Sequence, residues 1–149
     1  MNPGASPDPR FYNELRGIYR ERLNFQMPRK KNKEAQELLL EAISEALLEK
    51  KAKNPIILNF KGTGHSVCDA FVIAHGNSRT QSEALADEVI QRVKKQTGQN
   101  PWHKEGFENA EWILIDYIDV VVHIFQDAQR KFFNLEQLWA DALVVNIEG

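Results

Sequence analysis

Cysteine is nearly missing from this chain: Cys68 is the only one. A disulfide within the chain and a cysteine-based zinc site are thereby excluded. Cys68 lies among Val67, Ala70 and Phe71 and reads as a small buried hydrophobe rather than a reactive thiol. Long apolar runs are missing too, and none approaches the ~20 residues that span a bilayer. Residues 1–10 hold no hydrophobic segment of the kind a secretory signal needs. The expectation is a cytoplasmic protein with no membrane partner. Gly-x-x-x-x-Gly-Lys, Gly-x-Gly-x-x-Gly and His-Glu-x-x-His are all absent. His65, His75, His103 and His123 are scattered, with no two at helical spacing. Ser66 and Ser78 have no evident His/Asp partner set. These absences point away from an enzyme, with no catalytic residue, cofactor, metal or small-molecule substrate expected.

What is present is an ordinary globular composition, 42% hydrophobic and 27% charged over 149 residues. The net charge of −2 conceals an asymmetry: residues 1–33 sum to +5 and residues 34–149 to −7. An acidic body is a poor direct ligand for phosphates. It suits a basic protein partner, because opposite fields speed encounter; a solvated surface adopted for solubility is the plain alternative.

The chain divides into a basic arm (1–33), a body (34–142) and a tail (143–149). In the arm, Phe11, Leu15, Ile18 and Tyr19 fall at helical spacing and predict a short helix over about 9–23. The run Arg29, Lys30, Lys31, Lys33 reads as a solvated linker or, more sharply, as a contact to RNA. Met27 could be an internal start. From Glu34 an amphipathic helix begins, with Ala35, Leu39, Ile43, Ala46 and Leu47 on one face, and Lys53-Asn-Pro55 stops it. Strands are expected at 56–60 and 69–75, the second continuous enough to be buried on both faces. Ser78 with Gln81 forms a capping-box pattern for a helix over 79–96, closed by Gly98. Gly76-Asn77-Ser78 could cradle a phosphate, but a turn and cap explain it fully. A short strand at 101–104 and a hairpin of 111–116 with 119–126 follow. Asp127 is expected to cap a short helix over 128–133. Leu135, Leu138 and Trp139 are expected to share one helical face, with Trp139 in the core. For the tail, a loose end and an edge strand are both open. The resulting class is α/β (α+β), a mixed five-stranded sheet flanked by helices.

The hairpin carries the candidate chemistry. Asp116 and Asp119 flank its turn, and paired carboxylates can hold Mg²⁺ in a nucleotidyltransferase-like enzyme. Tyr117 and Ile118 separate them, and Asp is also common in tight turns for its backbone hydrogen bonds. Trp102, Trp112 and Trp139 offer interface anchors; for Trp112, core packing and partner contact are equally open.

Several motifs in order resemble the ribosomal silencing factor family, also called Iojap-like proteins. They are Asp69-Ala-Phe-Val-Ile-Ala-His-Gly-Asn-Ser78, Glu105-Gly106, the hairpin from Trp112 to His123, and Leu135-Glu-Gln-Leu-Trp-Ala-Asp-Ala142. The resemblance implies a sheet related to the nucleotidyltransferase fold without transferase activity. It implies binding to ribosomal protein fourteen of the large subunit, blocked joining of the small subunit, silenced translation when nutrients are scarce, and a link to large-subunit maturation. It also implies a homodimer when free, and it would make ribosomal RNA the RNA that the basic arm touches. Carried over by position, the partner contact falls on Glu105, Trp112, Asp116, Tyr117 and Asp119. One departure stands out: the family usually has Gly where this chain has Ile118. A β-branched residue resists positive φ, so a different turn, such as type I, is expected here.

Overall fold

The computed structural model describes residues 33–63 and 68–149. The helix expected at 9–23, most of the basic run, Met27, His65 and Ser66 lie outside the described residues.

Helix α1 spans Lys33–Glu49 and buries Leu39, Ala42, Ile43, Ala46 and Leu47, the face its periodicity marks out. Strand β1 is Lys53–Asn59 and begins earlier than its apolar run. Asn54 takes φ 45° and the pairing register shifts between Lys53 and Ile56, so Pro55 sits in a bulge, where its missing N–H costs little. Strand β2, Ala70–Gly76, is buried along its whole length. Helix α2, Arg79–Thr97, follows with the expected ends. Ser78 Oγ accepts from Gln81 N (3.1 Å), and Gln81 Oε1 accepts from Asn77 N (2.7 Å). Gly98, at φ 77°, donates its N–H to the Lys94 carbonyl.

Strands β3 (His103–Glu105), β4 (Trp112–Asp116) and β5 (Val120–Gln126) come next, then short helices α3 (Asp127–Phe133) and α4 (Leu135–Leu138), and strand β6 (Leu143–Asn146). The sheet order is β3-β4-β5-β2-β1-β6. Among the described strands only β2 and β5 pair in parallel; the other pairs are antiparallel. The expected five strands are therefore six, because Leu143–Asn146 pairs with β1. That strand was ambiguous in sequence because all four of its side chains are exposed, and no burial pattern marks it.

Both faces of the central strands are covered. On one face α1 and α2 pack over Val72, Ala74, Ile113, Ile115, Val122 and Ile124. On the other, Phe71, Ile73, Leu114, Val121 and Phe125 meet Leu135, Ala142, Trp112, Phe133 and Trp139. Each large side chain fully buried here contributes about 2 kcal/mol. Trp139 packs on Phe60 and Phe71 at 5.4 and 5.7 Å between ring centroids, as expected of a core residue. Leu138 does not share that face; it is exposed, because α4 is a single short turn. Asp127 is not the cap of α3 but its first residue; Gln126 precedes it without a side-chain cap.

Candidate interaction site on the acidic hairpin

The hairpin begins at an edge. β3 closes the sheet, so Lys104 and Glu105 face solvent, and Glu108 and Glu111 in the following loop are exposed as well. The loop of residues 106–111 is pinned from three sides. Ala110 N donates to the Gly106 carbonyl (3.0 Å), Gln126 Nε2 donates to the Ala110 carbonyl (3.0 Å), and the Arg79 guanidinium donates to the Glu108 carbonyl. Gly106 has φ 87°, and a Cβ there would overlap the Trp112 carbonyl. Only glycine fits this approach of loop to strand.

The structure separates the five candidate residues. Glu105 is exposed, with His103 Nε2 3.1 Å from its carboxylate. Trp112 is partly buried. Its Nε1 donates to His123 Nδ1 (3.0 Å), and its ring lies 4.8 Å from both Phe125 and Phe133. Asp116 is 0% exposed and Tyr117 5%. Asp119 is half-buried. Trp112 and Asp116 share one face of β4, since strand side chains alternate. Tyr117 enters the other face, in the core beneath the helices, where burial pushes its phenol up.

Asp116 Oδ1 accepts from Ile118 N (2.7 Å), Tyr117 N donates to the Val120 carbonyl (2.8 Å), and Asp119 N donates to the Tyr117 carbonyl (3.0 Å). Ile118 sits between these bonds at φ 78°. The expectation that a β-branched residue would avoid positive φ is overturned. The turn is a γ-turn centred on Ile118, a strained form, held by the Asp116 carboxylate on one side. On the other, the Asp119 carbonyl accepts from Asp69 N (2.8 Å) and Ala70 N (3.2 Å). The surrounding bonds over-determine the conformation. Ile118→Gly is therefore expected to stabilise the protein by about 1 kcal/mol, the strain relieved exceeding the extra backbone entropy of glycine. Ile118→Ala, with the same positive φ, should not stabilise. Thermal denaturation of the two variants side by side checks this; an equal midpoint would remove the strain argument.

Two buried polar residues hold the second face together: His123, which its place inside the apolar run Val120–Phe125 marks as a hydrogen-bonded core residue, and Arg130, which sequence reasoning missed. His123 is fully buried among Phe71, Trp112 and Phe125, and burial drives its pKa down to about 3. It is a neutral acceptor for the Trp112 indole. Arg130 is 9% exposed. Its Nε donates to Glu136 Oε1 (2.9 Å), and its Nη1 faces the Lys53 carbonyl (3.1 Å) and His75 Nδ1 (2.9 Å). With Nδ1 accepting, the His75 proton sits on Nε2, 3.4 Å from Asp127 Oδ1. Burial first, then Arg130, lowers the His75 pKa. A single arginine thus ties β1, β2, α3 and α4. Its only sequence signal was the spacing to Glu136, which crosses two short helices and matches no helical period.

Among the described residues, no three His, Cys, Asp or Glu side chains converge as a metal-binding group. The Asp116 carboxylate is enclosed and engaged by the turn, so it does not form an open pair with Asp119. The geometry suits a rigid, acidic docking edge.

A family model described as "Ribosomal silencing factor during starvation" matches residues 32–149. The chain belongs to the ribosomal silencing factor family. A ribosomal silencing factor from Halalkalibacterium halodurans is 45% identical over 114 residues, covering 76% of this chain and 95% of that protein. One from Bacillus subtilis is 36% identical, covering 76% and 94%. A crystal structure from Bacillus halodurans is 40% identical, with a TM-score of 0.63, and covers 76% of this chain and 98% of its own. The family match begins next to α1, so most of the basic arm lies outside it. The silencing factor family is named for regulation and not for catalysis.

Proposed function

We propose that this chain silences translation by binding ribosomal protein fourteen of the large subunit and thereby blocking the small subunit from joining. The reading extends to starvation as the occasion, to a part in large-subunit maturation, and to self-association of the free protein. The observation that carries it is the family match across residues 32–149. The acidic edge supports it: Glu105, Glu108 and Glu111 are exposed together beside β3 and β4, and ribosomal proteins are mostly basic. Occlusion needs affinity and bulk, and no catalytic group.

In this reading Glu105, Asp119 and the open side of Trp112 touch the partner. Asp116 and Tyr117 act as positioning residues: their burial and turn bonds hold Asp119 and the hairpin tip in place. Asp116→Lys would therefore test folding and not contact. The informative variant is Glu105→Lys with Glu111→Lys, since both side chains are exposed.

Gradient sedimentation with isolated subunits is the test. Migration with the large subunit alone is expected, and the double charge reversal should weaken it at least about tenfold at low salt. Undiminished binding by that variant, with an unchanged unfolding midpoint, would move the contact away from this edge. Migration with neither subunit would overturn the silencing reading for this chain.

A further inference from the structure

We propose that the basic rim formed by Lys50, Lys51, Lys53, Arg79 and Lys131 binds the phosphate backbone of RNA.

The net charge of the body hides a segregation. Residues 34–149 hold eleven Lys and Arg. Six of them, the five of the rim and Arg130, gather where β2 and its parallel neighbour β5 end. Short contacts bring them together. Lys53 pairs with His75 near the end of β2, and its carbonyl accepts from Arg130 Nη1 (3.1 Å). The Lys51 carbonyl accepts from Gln81 Nε2 (3.1 Å), in the first turn of α2, two residues after Arg79. Lys131 Nζ lies 3.1 Å from Asp127 Oδ2, and the other oxygen of that carboxylate lies 3.4 Å from His75 Nε2.

Acids cancel only half of this charge. Glu83, Glu136 and Asp127 pair with Arg79, Arg130 and Lys131. Lys50, Lys51 and Lys53 are exposed, and among the described residues none of the three forms an ion pair. Clustered, uncompensated cations are what phosphates recruit, and each phosphate they neutralise releases counterions. A protein partner would want an apolar centre instead. Among the described residues, the exposed large apolar side chains are Leu38, Leu138 and residues 143–145, all outside the rim.

Lys51 holds a position that its own backbone disfavours. α1 ends with Ala52 N donating to the Leu47 carbonyl (2.9 Å) and Lys51 N to the Leu48 carbonyl (3.1 Å). This is the Schellman pattern, whose left-handed residue is usually glycine. Lys51 fills it at φ 59°. Glycine would make the turn more stable, so stability does not account for the lysine. The same two bonds fix the backbone that carries the rim's lysines.

The rim also adjoins the acidic edge, because the Arg79 guanidinium donates to the Glu108 carbonyl. A basic protein seated in RNA offers the matching pair of surfaces. That pairing rests on the silencing reading; the rim's own charge does not.

Fluorescence anisotropy of the full chain with a labelled RNA hairpin tests this. The rim variant carries Lys50→Gln, Lys51→Gly and Lys53→Gln. Glycine suits φ 59°, so its unfolding midpoint should not fall. The control carries Lys61→Gln, Lys94→Gln and Lys95→Gln, which remove the same charge from exposed sites elsewhere. The rim variant should bind at least about tenfold more weakly, and the slope of log affinity against log salt should shrink by about 2. The control should change affinity less than about threefold. Glu105→Lys with Glu111→Lys, which tests the docking edge, should not weaken RNA binding at all. Equal losses in the rim variant and the control would overturn the proposal. So would full affinity in the rim variant, or no RNA binding by the unaltered chain. Displacement of the RNA by polyglutamate of equal charge concentration would assign the rim to acidic polypeptides and also refute it.

Discussion

Gly106→Ala is expected to lower stability by more than about 3 kcal/mol, a large part of the 5–15 kcal/mol that holds a typical domain. Two costs add. At φ 87° an L-residue is strained, by about 1–2 kcal/mol. The new methyl would also overlap the carbonyl of Trp112, which belongs to β4 and cannot yield without parting the hairpin. Gly98→Ala isolates the first cost. Gly98 has nearly the same φ, 77°, but a Cβ there meets nothing within 4 Å. Urea unfolding of both variants should show Gly98→Ala losing about 1 kcal/mol and Gly106→Ala at least three times that. Equal losses would mean that the loop can move away from β4. In that case the rigidity claimed for the acidic edge would fail too, because Gly106 directly follows Glu105.

Acid should weaken the fold from about pH 6.5 downward. His123 has its pKa held at about 3 by burial, against an ordinary 6.5 in the unfolded chain. His75 is lowered as well. Above 6.5 both are neutral in both states and neither affects stability. Below 6.5 the unfolded chain takes up protons that the folded one refuses, so stability falls as pH falls, at up to about 1.4 kcal/mol per unit for each group. For His123 the loss runs from about pH 6.5 down to about 3. Between pH 7 and 5 it amounts to about 2 kcal/mol, with His75 adding in the same direction. His123→Gln keeps an acceptor for Trp112 Nε1 and removes the titration. Chemical denaturation at pH 7, 6 and 5 should show a shallower fall for that variant. An unchanged slope would place the proton uptake elsewhere.

Much of this architecture was written locally. The α1 face, the Ser78–Gln81 cap, the Gly98 stop and the apolar run of β2 are short-range patterns, so periodicity and capping chemistry were enough to place them. The order of motifs also pointed to the family that the match over residues 32–149 then established. β6 stayed open for the opposite reason: an edge strand with every side chain exposed carries no burial signal, and only its partner β1 defines it. Ile118 shows the limit of propensity. Its φ is set by the Asp116 carboxylate and by bonds to Asp69, Ala70 and Val120 from outside the turn, and these outweigh the local preference.

The candidate site divides along the same line. The residues themselves, their acidity and their hairpin were readable in the chain. Which of them face solvent was not. Alternation along β4 sends Asp116 and Tyr117 to opposite faces, but only the layers above and below decide that both faces are covered. The sequence by itself determined most of the elements, the charge of the body and the family. The tertiary structure alone decided the six-strand order, the burial of Asp116 and the role of Arg130. Those depend on contacts between residues as far apart as Lys53 and Arg130, which no local period encodes.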